Sequence, residues 1–566
     1  MLEFAKNKEL WDKVRCDDAF ARHRREIAEK YNAHFNDEVF PRNATYDEIL
    51  NNDTTKTYHN WYFNSITQLQ SVALMALIYP DNEEYYNNLI KIIWMYLNEY
   101  TWAPLGHYSE YYYQRTPKDF DYGLIDIFGA SVAFSMAEIK FLFKDRFPKL
   151  LVDRMTYEIR RHAIEPYLTR RFFWETHNNN WTAVCTGAIG GVLMYEAPEL
   201  YYQNQARLHA SMECYLASYK DDGMCVEGTA YWGFGFGFFA VFADLERRFT
   251  NGEVDWFKND KIKAISSYVQ KMFLQKDIMA MYSDCNIKEG YWIGLAHMLR
   301  SIYGDHIEKL PFDRGTIIAY SHFAFSLRTV IFFNPEYIST KLENKVYSAK
   351  NSCFFTKRTD NYGFSCKGGN NGESHNHIDV GSFILARNNQ QVFYDFGYMG
   401  PAPCPGYHDH RRYTYFQPSS FAHNIPYIDG NGESSIATDD VIAFYDESSS
   451  SVTMEFGHAY RLDYVKSIKR CFILTDDEIV LNDKYEVTKD CKIVERFVTL
   501  IKPKIDGNVI TLDDVKLTPT TDCTLELKEQ IICDQVQHNG SYDVTCYLID
   551  YVLNENEFNA KIEFTK

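Results

Sequence analysis

Residues 470–487 have the sequence RCFILTDDEIVLNDKYEV, in which Asp476 and Asp477 separate two apolar runs. Short runs rich in β-branched and aromatic residues, divided by turn-forming residues, are typical of antiparallel hairpins. The same alternation of short apolar runs and turn signals extends from about residue 345 to the end of the chain. It therefore predicts antiparallel sheets for this whole C-terminal part.

The chain before residue 340 has a helical period instead. In LQSVALMAL, residues 69–77, the apolar residues recur at spacings of three and four, as on one face of a helix. Similar segments lie near residues 123–145, 149–165, 181–196, 198–218, 235–249, 260–276 and 288–304. Helices in series without strands between them predict a toroid or a solenoid. We therefore expect a helical domain over residues 1–340 and a β domain over residues 341–566, with a cleft where they meet.

The composition excludes several classes of partner. The 566 residues carry a formal net charge of −18 at pH 7, which argues against a protein that binds nucleic acid or a membrane surface. A polyanionic ligand would need a local basic patch. Aromatic residues make up 16% of the chain, and such rings readily line grooves in which sugars stack.

The cysteines and the N-terminal stretch bear on the cellular compartment. The 13 cysteines are odd in number and never form a C-x-x-C pair, which predicts reduced thiols. The stretch MLEFAKNKELWDKVR lacks the apolar core of a signal peptide, and no run of ~18 apolar residues predicts a membrane span. We expect a cytoplasmic protein, or a secreted or periplasmic one if a signal segment has been removed.

Two stretches of the helical part combine polar residues with an apolar frame. In WETHNNNWTAVCTGAIGG, residues 174–191, three Asn precede an apolar helix. One Asn suits an N-cap, whereas three between two Trp favour an amide that faces a ligand. In DDGMCVEGTAYWGFGFGFF, residues 221–239, Glu227 and Tyr231 would share one face if the segment is helical. Close helix packing explains the Phe residues of this stretch but not these two side chains.

A third stretch, GESHNHIDVGSF at residues 372–383, places His375 and His377 one residue apart. On a regular strand both would point to the same side, so the two either share one task or divide two between them. His377, Asp395 and His423 are separated by 18 and 28 residues, as suits ligands on separate strands. Two imidazoles and one carboxylate can hold a divalent metal, although each is also common as an ordinary buried residue.

A basic and aromatic segment follows the third stretch. Arg411 and Arg412 lie beside Tyr413 and Tyr415. They either supply the local positive charge that the whole chain lacks or form a solvated loop.

Five motifs together resemble one family. NEYTWAPLGH (98–107), NNNWTAVC, CVEGTAYWGFGFGFF, GESHNHIDVGSF and FAHNIPYIDG occur in the order found in heparinase II/III-like polysaccharide lyases. The resemblance implies an incomplete (α/α) toroid followed by an antiparallel β-sandwich. It also implies cleavage of uronic-acid polysaccharides by β-elimination in the cleft, and hence an acidic polysaccharide or oligosaccharide as substrate.

The same resemblance implies roles for particular residues. The catalytic set would be Asn180, Tyr231 and His375, and His377, Asp395 and His423 would hold one divalent metal, Zn or Mn, in a structural role. From the motifs and from the residue chemistry described above, we expect substrate binding by Trp102, His107, Asn179, Glu227, Arg412, Tyr413 and Tyr415. His375 would thus face the substrate while His377 anchors its loop, which requires a local turn between them or a metal just behind the cleft. The chain departs from some relatives in having Asn180 where they carry His and Phe234 where they carry a second Tyr.

Other functions are compatible with the same residues. A glycoside hydrolase would use Glu227 and Glu373 as its two carboxylates, and a non-catalytic glycan-binding protein would use the aromatic cleft alone. Among uronide substrates, the absence of Lys clusters around the motifs favours glycosaminoglycans of low sulfation, with alginate next.

Overall fold

Helices make up the N-terminal part of the protein. The computed structural model describes residues 1–34, 56–104, 107, 123–285, 290–318, 322–397, 410–534 and 542–565. The α-helices are α1 (Lys8–Cys16), α2 (Ala21–His34), α3 (Lys56–Ile78), α4 (Glu83–Leu97), α5 (Ile127–Phe143), α6 (Lys149–Ile159), α7 (Glu165–Thr169), α8 (Asn180–Glu196), α9 (Pro198–Leu216), α10 (Thr229–Tyr231), α11 (Gly237–Phe249), α12 (Asp260–Ser266), α13 (Tyr268–Met272), α14 (Ile293–Tyr303) and α15 (Phe323–Ile331). Short π-helical segments follow α6, at Arg160–Ile164, and α10, at Trp232–Phe236.

Helix α8 lies at the centre of the helical part. It is apolar on every side and buries nearly its whole length, as is typical of a helix surrounded by others. Its neighbours are α5, α9 and α11. Because α8 begins at Asn180, this packing fixes the position of the polar stretch that precedes it.

Most predicted helices are present, and one is shorter than predicted. The segment 260–276 forms α12 and α13 and then leaves the helical conformation after Met272. Phe273–Gln275 instead pairs antiparallel with Ile278–Met279, across a turn in which Lys276 has a φ of 28°.

Antiparallel sheets make up most of the C-terminal part. The strands are β1 (Phe273–Gln275), β2 (Ile278–Met279), β3 (Tyr291–Trp292), β4 (Gly315–Thr316), β5 (Lys345–Ala349), β6 (Phe354–Arg358), β7 (Gly363–Lys367), β8 (Phe383–Arg387), β9 (Gln390–Phe393), β10 (Tyr427–Ile428), β11 (Phe444–Asp446), β12 (Ser451–Glu455), β13 (Val465–Leu474), β14 (Glu478–Val487), β15 (Ile493–Thr499), β16 (Lys504–Asp506), β17 (Val509–Leu512), β18 (Val515–Pro519), β19 (Cys523–Asp534), β20 (Tyr542–Leu553) and β21 (Glu557–Phe564). The main sheets have the orders β5-β6-β7-β8-β9, β11-β12-β13-β14-β21-β18-β17-β16 and β10-β15-β20-β19. The hairpin expected around Asp476 and Asp477 is β13–β14, in which Leu474 pairs with Ile479.

The five-stranded sheet β5–β9 joins the two parts. Phe354 and Ile384 belong to the hydrophobic core of the helices, whereas their neighbours Phe355 and Leu385 belong to the core between the sheets. Successive side chains of a strand point to opposite faces, so this sheet packs on helices with one face and on β-sheet with the other.

The predicted fold class is confirmed: a helical toroid comes first and an antiparallel β-sandwich follows. Helix α15 ends at Ile331 and β5 begins at Lys345. The boundary between residues 340 and 341 stays a prediction. Helices of the membrane-spanning kind, long and apolar throughout, do not occur in the described part of the chain, and the cysteines described there are free thiols.

Candidate active site

The loop between β7 and β8 carries His375 and His377. Residues 371–382 of this loop form turns and irregular backbone rather than a regular strand, and His375 has a φ of 55°, in the left-handed region that non-glycine residues rarely occupy. The predicted local turn is therefore confirmed. The turn gives the two side chains different surroundings: the side chain of His375 is 27% exposed, whereas the side chain of His377 is completely buried.

Asp284 connects the two histidines. Its Oδ2 accepts a hydrogen bond from Nδ1 of His375 at 2.9 Å, and its Oδ1 lies 3.4 Å from Nε2 of His377. Its backbone N–H also donates to the carbonyl oxygen of His375 at 3.2 Å. Asp284 comes from the helical part of the chain, 91 residues before His375, so this carboxylate links the loop to the other domain.

The charge of Asp284 is well compensated. The guanidinium of Arg412 donates to Oδ1 of Asp284, and both side chains are buried. Burial alone would raise the pKa of Asp284, but the hydrogen bonds from His375 and His377 and the charge of Arg412 outweigh it and lower that pKa well below its ordinary value. Asp284 is therefore a carboxylate held ionised beneath His375.

Tyr231 lies against His375. Their ring centroids are 4.1 Å apart and the ring planes differ by 24°. Tyr231 ends α10, and Gly228 precedes this helix with a φ of 97°. A Cβ on Gly228 would lie 2.2 Å from Sγ of Cys285. Glycine at this position therefore allows the segment of Tyr231 to pack against the segment of Asp284.

Glu227 lies before α10, so the prediction that it shares a helix face with Tyr231 is wrong. The chain reverses at Gly228, which separates Glu227 from the helix. Glu227 lines a cavity between the domains. Burial raises the pKa of its carboxyl above the ordinary value, and the electrostatic interaction with His375 opposes that change.

Asn179 and Asn180 have different positions. Asn179 is the N-cap of α8, and its side chain accepts a hydrogen bond from the backbone N–H of Trp181 at 3.2 Å. Asn180 is the first residue of α8 and lines the cavity. A Cβ on Gly235 would lie 3.2 Å from Cβ of Asn180, so this glycine lets α8 approach the helical turn that follows Tyr231.

The cavity has a volume of about 420 Å³ and lies between the domains. The helical part contributes Asn178–Asn180, Lys220 and Glu227, and the β part contributes Asn370, Glu373 and Asp440. Cavities of this size hold small ligands or single sugar units. The cavity lies beside the His375–Tyr231 pair, because its lining includes Ser374, the chain neighbour of His375, together with Glu227 and Asn180.

The basic and aromatic segment supports the histidine loop. The hydroxyl of Tyr413 donates to Oδ1 of Asn376 at 2.6 Å, and Arg412 is 7% exposed and paired with Asp284. Tyr415 is half-buried, and its backbone N–H donates to the carbonyl of Arg412 at 3.0 Å. Arg412 is paired with a carboxylate of this protein, and its contact with a ligand stays a prediction.

Trp102 and His107, both predicted to bind substrate, differ in exposure. Trp102 is 2% exposed, donates its indole N–H to the carbonyl of Tyr96 at 2.9 Å and stacks on His162. It is a core residue, so the prediction of a direct contact with substrate is wrong. The side chain of His107 is 18% exposed, bonds through Nδ1 to Asp126 and packs on Trp181, next to Asn180.

His377, Asp395 and His423 form a buried cluster. All three are 0% exposed, and one potential ligand atom from each lies within 4.8 Å of the others. Nδ1 of His377 and Nε2 of His423 are buried without a hydrogen-bond partner, and the other nitrogen of each ring is bonded to a carboxylate. For His377 this arrangement fits a metal ion, because a metal-ligating imidazole usually donates its second N–H to an outer carboxylate, here Asp284. The carboxylate that bonds to His423 is Asp395, which is itself one of the three expected ligands.

Known structures share this architecture. The chain resembles heparan sulfate lyase HepC from Pedobacter heparinus at 12% identity, with a TM-score of 0.60 over 96% of this chain and 83% of that one. For the Streptomyces coelicolor chondroitin AC lyase the identity is 8% and the TM-score 0.56, over 99% of this chain and 82% of that one. For a Paenibacillus xanthan lyase the values are 10% and 0.57, over 99% of this chain and 59% of that one.

The chain has the heparinase-like polysaccharide lyase fold. No family model and no curated protein sequence matches it, so the likeness lies in the fold.

Sequence reasoning missed two groups of residues. The first is Asp284, which follows the largely apolar run IMAMYS and precedes Cys285. A single acidic residue in such an apolar segment could have indicated a buried functional carboxylate, and its neighbours Tyr282 and Cys285 are indeed buried. Beneath the histidine loop, Nζ of Lys367 lies 2.6 Å from Oδ1 of Asp379, and both side chains are completely buried. This ion pair holds the end of β7 to the loop that follows it.

Proposed function

We propose that this protein is a polysaccharide lyase that cleaves uronic-acid-containing glycans by β-elimination. The observation that carries the proposal is the contact of Tyr231 with His375, 4.1 Å apart, next to a cavity lined by Asn180 and by Ser374, the chain neighbour of His375. These residues come from separate stretches of sequence and from both domains. A fold shared with known lyases of glycosaminoglycans and xanthan supports the same function.

Asn180 would neutralise the substrate carboxylate. The C5 proton of a uronate is a weak acid because the adjacent carboxylate is already negative. The side-chain amide of Asn180 can donate a hydrogen bond to that carboxylate as charge develops on it. Glu227 would assist in its protonated form, which its raised pKa favours.

His375 and Tyr231 would transfer the protons. The hydrogen bond from Nδ1 of His375 to Asp284 leaves Nε2 of a neutral imidazole free to accept a proton. Tyr231 is the proposed acid that protonates the leaving glycosidic oxygen, and for one sugar epimer it would also be the base. His375 is the proposed base when the proton and the leaving group lie on opposite faces of the ring. Asp284 does not reach the substrate in this scheme and acts as a positioning residue.

The buried cluster would hold a structural metal. His377, Asp395 and His423 suit Zn²⁺, or Mn²⁺ if further ligands complete its shell. A bound metal would supply a cross-link between the histidine loop and the strands that follow it. The proton transfers described above do not require it as a Lewis acid.

Replacing His377 by Ala should remove the metal, lower the melting temperature by about 5 °C or more and reduce activity. The reason is that the loop of His375 loses its buried anchor. Elemental analysis, thermal unfolding and initial rates measure the three effects. His375→Ala is the matched control, because it should abolish activity while keeping the metal and most of the stability. An active wild-type protein without metal, or a His377→Ala variant with unchanged melting and rate, would remove the metal assignment.

Incubation with a panel of uronic-acid polymers should yield oligosaccharides with a conjugated double bond that absorbs in the ultraviolet. Glycosaminoglycans of low sulfation are the favoured substrates, followed by alginate. The assay contains divalent metal, and Tyr231→Phe protein is the control for contaminating activity. If no polymer of a broad panel gives such a product, the lyase proposal fails.

An inverting glycoside hydrolase is a second candidate, because Glu227 and Glu373 line the same cavity. It would release new reducing ends without ultraviolet absorbance. Binding of the same polymers without any product would instead indicate a glycan-binding protein. The product analysis of the panel separates all three functions.

A further inference from the structure

One wall of the cavity carries acidic charge that the proposed reaction does not use. Glu373 and Asp440 line it together with Lys220. Nζ of Lys220 lies 2.8 Å from Oδ2 of Asp440, and the side-chain amide of Asn370 donates to Oδ1 of Asp440 at 2.7 Å. Among the described residues that line the cavity, Lys220 is the one Lys or Arg, and Asp440 balances its charge.

Glu373 is the second carboxyl group of this wall. Its Oε2 is buried and has no hydrogen-bond partner among the described residues. Lys367, the buried cation whose charge acts on Glu373, is already paired with Asp379 at 2.6 Å. Burial raises the pKa of Glu373 to about 7 although Lys367 and Lys220 oppose the change. A buried carboxyl oxygen without a hydrogen-bond partner is costly, and a ligand that donates a hydrogen bond to Oε2 of Glu373 would remove that cost.

The chemistry of the wall selects among amino sugars. A protonated amino group brings a positive charge and three N–H donors to a carboxylate. An N-acetyl group offers one N–H and no charge. An N-sulfate group would place a negative charge beside Glu373 and Asp440, where no unbalanced Lys or Arg of the described lining compensates it.

We infer that this wall is a subsite for a hexosamine with an unsubstituted amino group, bound next to the uronate, and that Glu373 recognises the ammonium. The inference rests on the proposed lyase function and names the substrate class more closely. It gives Glu373 a role in specificity rather than in proton transfer.

The test uses one alternating polymer of glucuronic acid and glucosamine in three forms: N-acetylated, N-deacetylated and N-sulfated. The full-length protein should have its highest kcat/KM on the N-deacetylated form and a value about 10-fold or more lower on the N-sulfated form. Glu373→Gln keeps the shape of the side chain and removes its charge, so it should bring the ratio between the N-deacetylated and N-acetylated forms close to one. Glu447→Gln, at an exposed site away from the cavity lining, should keep the wild-type ratio.

Each ratio is measured within one protein, so partial unfolding of a variant does not change it. Equal rates on the three forms, fastest cleavage of the N-sulfated form, or an unchanged ratio in Glu373→Gln would overturn the subsite while leaving the lyase function in place. Cleavage of other uronides but of none of these three would also overturn it. The absence of unsaturated product from every uronide would instead refute the proposed function.

Discussion

Tyr231→Phe should lower kcat by about 10²- to 10⁴-fold and leave KM nearly unchanged, because general acid–base groups typically contribute this much to a rate. The substitution removes a hydroxyl and keeps the ring that stacks on His375 at 4.1 Å. It should therefore preserve the geometry of the site and the melting temperature. Initial rates from ultraviolet absorbance over a range of substrate concentrations measure both constants.

Tyr413→Phe is the matched control for the loss of a hydroxyl near the site. The hydroxyl of Tyr413 donates to Asn376, between the two histidines, so its removal should loosen the loop and cost about 10-fold or less in rate. If Tyr231→Phe keeps wild-type activity, the acid lies elsewhere, and Tyr413 and Tyr415 become the next residues to test.

The sequence predicted the architecture well because the two periodicities are local properties. The helical spacing of segments such as 181–196 and the hairpin at Asp476 and Asp477 depend on residues close in sequence. The contrast between the partly exposed His375 and the buried His377 was implied by the motif's resemblance, whereas their one-residue spacing on a regular strand would have placed both on one side. His377, Asp395 and His423 do come together in space, but all three lie in loops, so the expectation that they sit on separate strands is wrong.

The errors concern side chains whose surroundings come from distant parts of the chain. Trp102 resembles a groove residue in sequence, but packing on His162 buries it. Glu227 and Tyr231 have helical spacing, but the close contact of Gly228 with Cys285 delays the helix until Thr229. Asp284 meets His375 across 91 residues, and no local pattern encodes such a contact.

Arg412 has a partner that its sequence context does not indicate. A pair of arginines beside tyrosines suggests an anion-binding patch, but the partner of Arg412 is a carboxylate of this protein. Burying the pair costs solvation and gains a fixed geometry for the loop.

Asp284→Asn should lower kcat by about 10²-fold or more, with a smaller change in KM, and should also cost about 3–5 kcal/mol of unfolding free energy. Asparagine keeps the shape of the side chain but loses the charge that balances Arg412 and fixes Nδ1–H of His375 toward the protein. The imidazole could then present the wrong nitrogen to the substrate. Steady-state kinetics and urea unfolding measure the two effects separately.

Glu138→Gln is the matched control for the loss of a buried charge. Glu138 pairs with Arg328 at 2.8 Å in the helical core, and both side chains are buried, so this variant should lose stability without a loss of kcat in the folded protein. A double-mutant cycle then tests whether Asp284 acts through His375. Asp284→Asn should reduce the residual rate of a His375→Ala protein only slightly, because the group that it orients is already absent. Full additivity of the two losses would show that Asp284 has a structural role alone, and His375 would then depend on its backbone turn and on Tyr231 for its orientation.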